Sequence, residues 1–188
     1  MESFHVRKAR AEDAPAILGC LATAFERYRE QYTPSAFADT VLDSVRVQTR
    51  LLDMCVFVAI ADEKLVGTIG GQTHRAEGHI RGMAVLPEWQ GKGVAAALLG
   101  AVEDELRRNG CQYVTLDTTE PLMRAMRFYE KHGYRATGRI ADFSACGCTN
   151  TQNHSEARRR GIDSHARLSF SHQVRPPMHA GFHQQKHN

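Results

Sequence analysis

The sequence predicts one α/β domain, α+β in its ordering, in which a single sheet is assembled from strands interleaved with helices. Three observations carry this. Apolar residues recur at helical spacing in Ile17, Leu18, Leu21, Ala22 and Phe25. A β-rich run, Cys55-Val56-Phe57-Val58-Ala59-Ile60-Ala61, is followed by the turn Asp62-Glu63-Lys64 and a second such run. Finally, the apolar segment Met83-Ala84-Val85-Leu86-Pro87 leads through Glu88-Trp89-Gln90-Gly91-Lys92-Gly93 into an alanine-rich helix. The 188 residues suffice for one sizeable core and are too few for two ordinary domains.

In chain order, Phe4-His5-Val6-Arg7 forms a short first strand. Glu12-Asp13-Ala14-Pro15 opens the first helix with acids and an early proline. Thr33-Pro34 starts a second helix whose apolar residues Phe37, Val41, Leu42, Val45 and Leu52 predict one buried stripe. The second and third strands, 55–61 and 65–71, make a hairpin, and 79–85 is the fourth strand. A helix over 94–108 ends in a basic turn and Asn109-Gly110. Strand five covers 113–117, a helix starting at Pro121 covers 121–132, and strand six covers 134–140.

The glycine segment has the build of an anion cradle. The first turn of a helix leaves about four backbone N–H groups without intrahelical partners, and the aligned peptide dipoles place roughly half a positive charge there. A diphosphate satisfies both. Gly91 and Gly93 carry no Cβ, which permits unusual loop conformations and close approach of a ligand to the backbone, and Lys92 adds a mobile cation. No Gly-Lys-Ser/Thr follows four variable residues, so the segment is not a Walker loop.

Gln90-Gly91-Lys92-Gly93-Val94-Ala95 resembles the Gln/Arg-x-x-Gly-x-Gly/Ala acyl-CoA loop of the GCN5-related N-acetyltransferases (GNAT), and 83–87 resembles the strand before it. Arg127-Phe128-Tyr129-Glu130-Lys131-His132-Gly133-Tyr134 is similar to the block that ends the family's last helix. Over residues 1–143 the resemblance implies a mixed, mostly antiparallel central sheet with helices on both faces, its fourth and fifth strands splayed to hold acyl-CoA. It further implies transfer of an acetyl group from acetyl-CoA to a primary amine of a small molecule or peptide, by direct attack.

By that resemblance Gln90, Gly91, Lys92, Gly93, Val94 and Ala95 bind the diphosphate, while the backbone of Met83 and Val85 pairs with the pantetheine arm and polarises the acetyl carbonyl. Tyr129 is the candidate acid: a phenol, with a pKa near 10, stays protonated at pH 7 and can serve a departing thiolate. An alkylamine, with a pKa near 10.4, must lose a proton before attack. Glu77 is the expected base, with His79 beside it and His74 less supported. Leu122 stands where the family often has Asn, which removes one expected contact to the CoA arm. Acceptor contacts are expected around Phe25, Tyr28, Tyr32 and Phe37.

Two rival classes remain at this stage. One is an acyl-CoA-binding regulatory module without catalysis. The other is an NAD-dependent oxidoreductase, because Gly91 to Ala96 fits a relaxed dinucleotide fingerprint and Asp117 falls where a ribose-binding acid would. Against the latter, five residues intervene between strand and glycines, the preceding strand mixes polar with apolar residues, and the 127–134 block is left unexplained.

Composition bounds the rest. The formal net charge is +3. From Ser144 onward six Lys/Arg face two acids, which leaves 18 bases against 19 acids in the remainder, so nothing suggests nucleic-acid binding. No membrane span or export signal is seen, and five scattered cysteines fit a reducing cytoplasm, with Cys20, Cys55 and Cys111 as small core residues. A homodimer is left open. Residues 144–188, an Arg-Ser-His-Gln-Pro mixture holding six of the ten histidines, are expected to be an atypical, disordered or non-native tail. Cys146-x-Cys148 with His154 matches no zinc template, so no metal site is expected. Within the tail, 167–174 alternates at strand period and is a candidate substitute for the family's seventh strand.

Overall fold

Strand β1 (His5–Lys8) pairs antiparallel with β2 (Cys55–Ala61), and between them the chain forms three helices: α1 (Ala14–Phe25), α2 (Pro34–Thr40) and α3 (Ser44–Asp53). The computed structural model describes residues 3–119, 122–140 and 167–174. Arg7 grips Asp13 through two hydrogen bonds of 2.7 and 2.8 Å, and Asp13 also accepts from the Arg10 backbone N–H, which anchors the entry to α1 on the sheet edge. Helix α1 buries Ile17, Leu21 and Phe25 of the predicted stripe, while Leu18 and Ala22 are half-buried and Cys20 and Ala24 complete the buried face.

The second predicted helix is two helices. Val41 is extended, and Asp43 restarts the chain by accepting the Arg46 N–H at 2.8 Å. That break changes the helical phase, so the expected stripe does not hold: Val45 and Leu52 are 73% and 85% exposed, and α3 buries Val47. Cys55 is half-buried rather than core, unlike Cys20 and Cys111.

Strand β2 turns through Asp62 and Glu63, both at positive φ as a tight hairpin turn demands, into β3 (Lys64–His74). A second hairpin leads to β4 (Glu77–Val85), and α4 (Val94–Arg108) then crosses the sheet to β5 (Tyr113–Thr119). Helix α4 lies close on the strands. A Cβ at Gly71 would stand 2.5 Å from Val102, nearer than real side chains approach. After α5 (Met123–Lys131) comes β6 (Arg135–Ile140). Pro121, the expected start of α5, lies outside the described residues.

Among the described residues the sheet has seven strands in the order β1-β2-β3-β4-β5-β7-β6, all pairs antiparallel except β4 with β5. Strand β7 (Arg167–Gln173) inserts between β5 and β6, with Phe170 opposite Leu116 on one side and Ala136 on the other. The expectation of a tail that buries little does not describe this segment, because Phe170 is fully buried and Val174 nearly so. Other residues of 144–188, including Cys146, Cys148 and His154, lie outside the described residues. Two apolar clusters sandwich the sheet, one beneath α4 and α5 and one beneath α1, α2 and α3.

Candidate active site

The parallel pairing of β4 with β5 stops at Ile80 opposite Leu116. Beyond it β4 has an extra residue relative to β3: Thr68 faces Ala84 while Gly70 faces Arg81. Gly82, with φ +63°, occupies this bulge, a backbone conformation that side chains rarely adopt. A bulge bends and twists its strand, and here it accompanies the parting of β4 from β5. The gap opens into a cavity of about 540 Å³, of the size that holds small ligands, lined among others by His79, Arg81, Met83, Asp117, Thr118 and Tyr129.

At the end of β4 the chain rounds Pro87–Trp89 and enters α4 through Gly91 (φ +82°) and Gly93 (φ +87°). Gly93 is the N-cap and supplies no capping side chain, so the first N–H groups of α4 keep their donors for a ligand. A Cβ at either glycine would meet nothing within 4 Å, which leaves the cradle open. Lys92 rests over the Trp89 ring at 4.9 Å. Gln90 ties the loop down: its Nε2 donates to the Val85 carbonyl at 3.0 Å and its Oε1 accepts from Arg124 at 3.1 Å. The Val85 carbonyl, expected to serve a pantetheine amide, is thus held by Gln90.

Tyr129 is buried on α5, and its hydroxyl donates to the Met83 sulfur at 3.1 Å, which places the expected acid beside the bulge. Burial raises its pKa above the ordinary phenol value, so it stays protonated. Tyr134, also raised by burial, donates to Glu103 at 2.6 Å and stands behind Tyr129, their rings 5.6 Å apart.

The structure separates the two candidate bases. Glu77 is not among the residues lining the cavity; Thr115 Oγ1 donates to its carboxylate at 2.6 Å. His79 does line the cavity, and its Nδ1 lies 2.8 Å from the same Thr115 Oγ1. Thr115 has one hydroxyl hydrogen and spends it on Glu77, so the Thr115–His79 bond requires Nδ1–H as donor. In neutral His79 this leaves Nε2 as the basic nitrogen, turned toward Asp117 Oδ2 at 3.8 Å. Asp117 in turn accepts from Ser169 of β7 at 2.7 Å. Glu77 therefore orients His79 through Thr115. His74 is not in the lining.

Of the expected acceptor residues, Phe25 and Tyr32 line the cavity, whereas Tyr28 and Phe37 do not. Leu122 lines it and offers no side-chain cap to α5. Sequence reasoning misses Arg50 and Arg81, which reach the cavity from α3 and β4, and Thr118, whose hydroxyl is buried with no hydrogen-bond partner among the described residues. An orphaned buried hydroxyl in the lining of an open cavity fits a ligand with polar groups. Only the strand period of β5 could have shown Thr118 turning to that side.

Residues 20–134 match the family model described as Acetyltransferase (GNAT) family. The chain belongs to that family. A curated N-acetyltransferase of Methanocaldococcus jannaschii, itself uncharacterized, is 37% identical over 82 residues, which is 43% of this chain and 53% of that protein. N-acetylaspartate synthetase of Danio rerio is 31% identical over 99 residues, 52% of this chain and 35% of that protein. The matched segment therefore spans about half or less of these two relatives. The ribosomal-protein-S18-alanine N-acetyltransferase of Escherichia coli superposes with a TM-score of 0.69 at 14% identity, covering 96% of this chain and 99% of that one. An N-acetyltransferase of Thermoplasma acidophilum, solved in complex with coenzyme A, gives 0.66 at 17%, covering 89% and 98%. These structures share the fold. The dinucleotide reading is thereby excluded: β4, which precedes the glycines, is antiparallel to β3 and belongs to no doubly wound parallel sheet.

Proposed function

We propose that this GNAT protein transfers an acetyl group from acetyl-CoA to a primary amine, by direct attack of the amine on the thioester. The observation that carries the reading is that His79, taken as proton acceptor, and Tyr129, taken as proton donor, line the same cavity between the parted strands. The family and the coenzyme A complex of the Thermoplasma relative support the same choice of co-substrate.

Acetyl-CoA, when bound, supplies the activated acyl carbon and a thiolate leaving group. The cradle of Gly91, Lys92 and Gly93 at the start of α4 would hold its diphosphate, and the β4 backbone beyond Ile80, released from ladder pairing with β5, would offer hydrogen bonds to its arm. His79 Nε2 accepts the amine's proton, while Asp117 favours the resulting imidazolium and Glu77, through Thr115, holds the ring tautomer. The amine nitrogen bonds the acyl carbon as the C–S bond breaks. Tyr129, kept neutral by burial, donates its proton to the thiolate.

Release of the CoA thiol with a panel of amines tests the reading. Tyr129→Phe should keep acetyl-CoA binding, read as a thermal shift, and lower single-turnover acetylation about a hundredfold or more. Acetyl-CoA binding without thiol release for any amine would instead identify a non-catalytic acyl-CoA module.

A further inference from the structure

Arg50 sits on α3 with its guanidinium against the bulge of β4: a Cβ at Gly82 would run into Nη1 and stand 2.9 Å from Cζ. Glycine at 82 therefore makes room for Arg50 as well as permitting the bulge. Among the described residues the guanidinium makes no hydrogen bond and no ion pair. Arg50 is half-buried and lines the cavity, so its five donors stay open to water or to a ligand there. Burial, and then the charge of neighbouring Arg81, lower its pKa to about 10, so it remains a cation at neutral pH.

The acids around the cavity do not neutralise it. Asp39 pairs with Arg46 at 3.0 Å, Asp53 is exposed, and Asp117 accepts from Ser169 and faces His79. Charge in the cavity is thus divided. One part holds His79 with Asp117 and suits an amine. Another holds Arg50 with Arg81 and suits an anion.

Resting on the acetyl-transfer reading, we propose that the acceptor is an amine that also carries a carboxylate, an amino acid in the broad sense, with its amine at His79 and Asp117 and its carboxylate on the fork of Arg50, flanked by Arg81. A guanidinium binds a carboxylate through two parallel N–H···O bonds, which a lysine ammonium cannot reproduce. Placing the carboxylate there gives those donors a charged partner in place of water. Arg50 is a specificity residue, separate from the proton-transferring pair.

The test is CoA-thiol release with α-, β- and γ-amino acids, each set against its own carboxamide. The best amino acid should exceed its amide by about tenfold to a hundredfold in kcat/KM, chiefly through KM, the size expected for charge-assisted hydrogen bonds. Arg50→Leu should bring that ratio close to one, and Arg50→Lys should leave it between the two. The ratio is internal to each preparation, so partial misfolding of a variant does not mask it. Amides acetylated as well as acids by the native protein, or a ratio unmoved in Arg50→Leu, would overturn the inference while leaving acetyl transfer standing. Absence of thiol release with every member of both series would overturn this inference; only its absence with the wider amine panel as well would overturn the acetyl-transfer reading.

Discussion

Phe170→Ala addresses β7, the strand through which β6 joins the sheet. Phe170 is fully buried and belongs to the apolar cluster beneath α4 and α5, in a strand hydrogen-bonded on both sides. Truncating a buried phenylalanine removes its transfer free energy and leaves a cavity, at a cost of about 3–5 kcal/mol. For a chain of this size each kcal/mol lowers Tm by about 2–4 °C, so a fall of about 6–20 °C is expected in calorimetry. Because among the described residues β7 alone joins β6 to β5, the substitution should also loosen β6, and amides of both strands should exchange faster with deuterium. Ser171→Ala, on the same strand and half-buried, serves as the control and should change Tm little. A Phe170→Ala shift within about 2 °C of the native value would refute the placement of β7 and return 167–174 to a passenger role.

Gly93→Val should abolish the thermal shift given by acetyl-CoA. A branched residue cannot hold φ +87° without strain, and its side chain would occupy the open space of the cradle; an unchanged shift would remove the cradle from the binding model. His79→Gln should lower kcat/KM about a hundredfold at neutral pH, with the deficit shrinking as pH approaches the acceptor's own pKa and the amine loses its proton unaided; a deficit constant with pH would deny His79 the role of base. Asp13, held below its ordinary pKa of 3.8 chiefly by the Arg7 hydrogen bonds and against desolvation, contributes stability that is present above the unfolded pKa and lost as pH falls through the lower folded one. Asp13→Asn should therefore cost about 1–3 kcal/mol in urea unfolding at pH 7, and the difference from the native protein should narrow below about pH 4; a difference that persists at low pH would assign the cost to packing.

Local chemistry determined much of this protein in the sequence itself. The boundaries of β2 and α4, the hairpin at Asp62-Glu63 and the glycine cradle follow from side-chain period, turn requirements and the donors left at a helix start, all set within a few neighbouring residues. The block around Tyr129 carries a family pattern, and Tyr129 lines the cavity. The break at Val41–Asp43 was half visible, since Asp43 is a good N-cap, yet an uninterrupted apolar count masked it and misplaced Val45 and Leu52. What only the tertiary structure decided involves partners distant in the chain. Thr115 couples Glu77 to His79 across 36 and 38 residues, Ser169 reaches Asp117 across 52, and Arg50 meets Gly82 between a helix and a bulge. A histidine's tautomer, an arginine set against a bulge and a strand inserted between two earlier ones depend on register and burial. No sequence period encodes those, because the free energy that sets them comes from contacts made after the elements have formed.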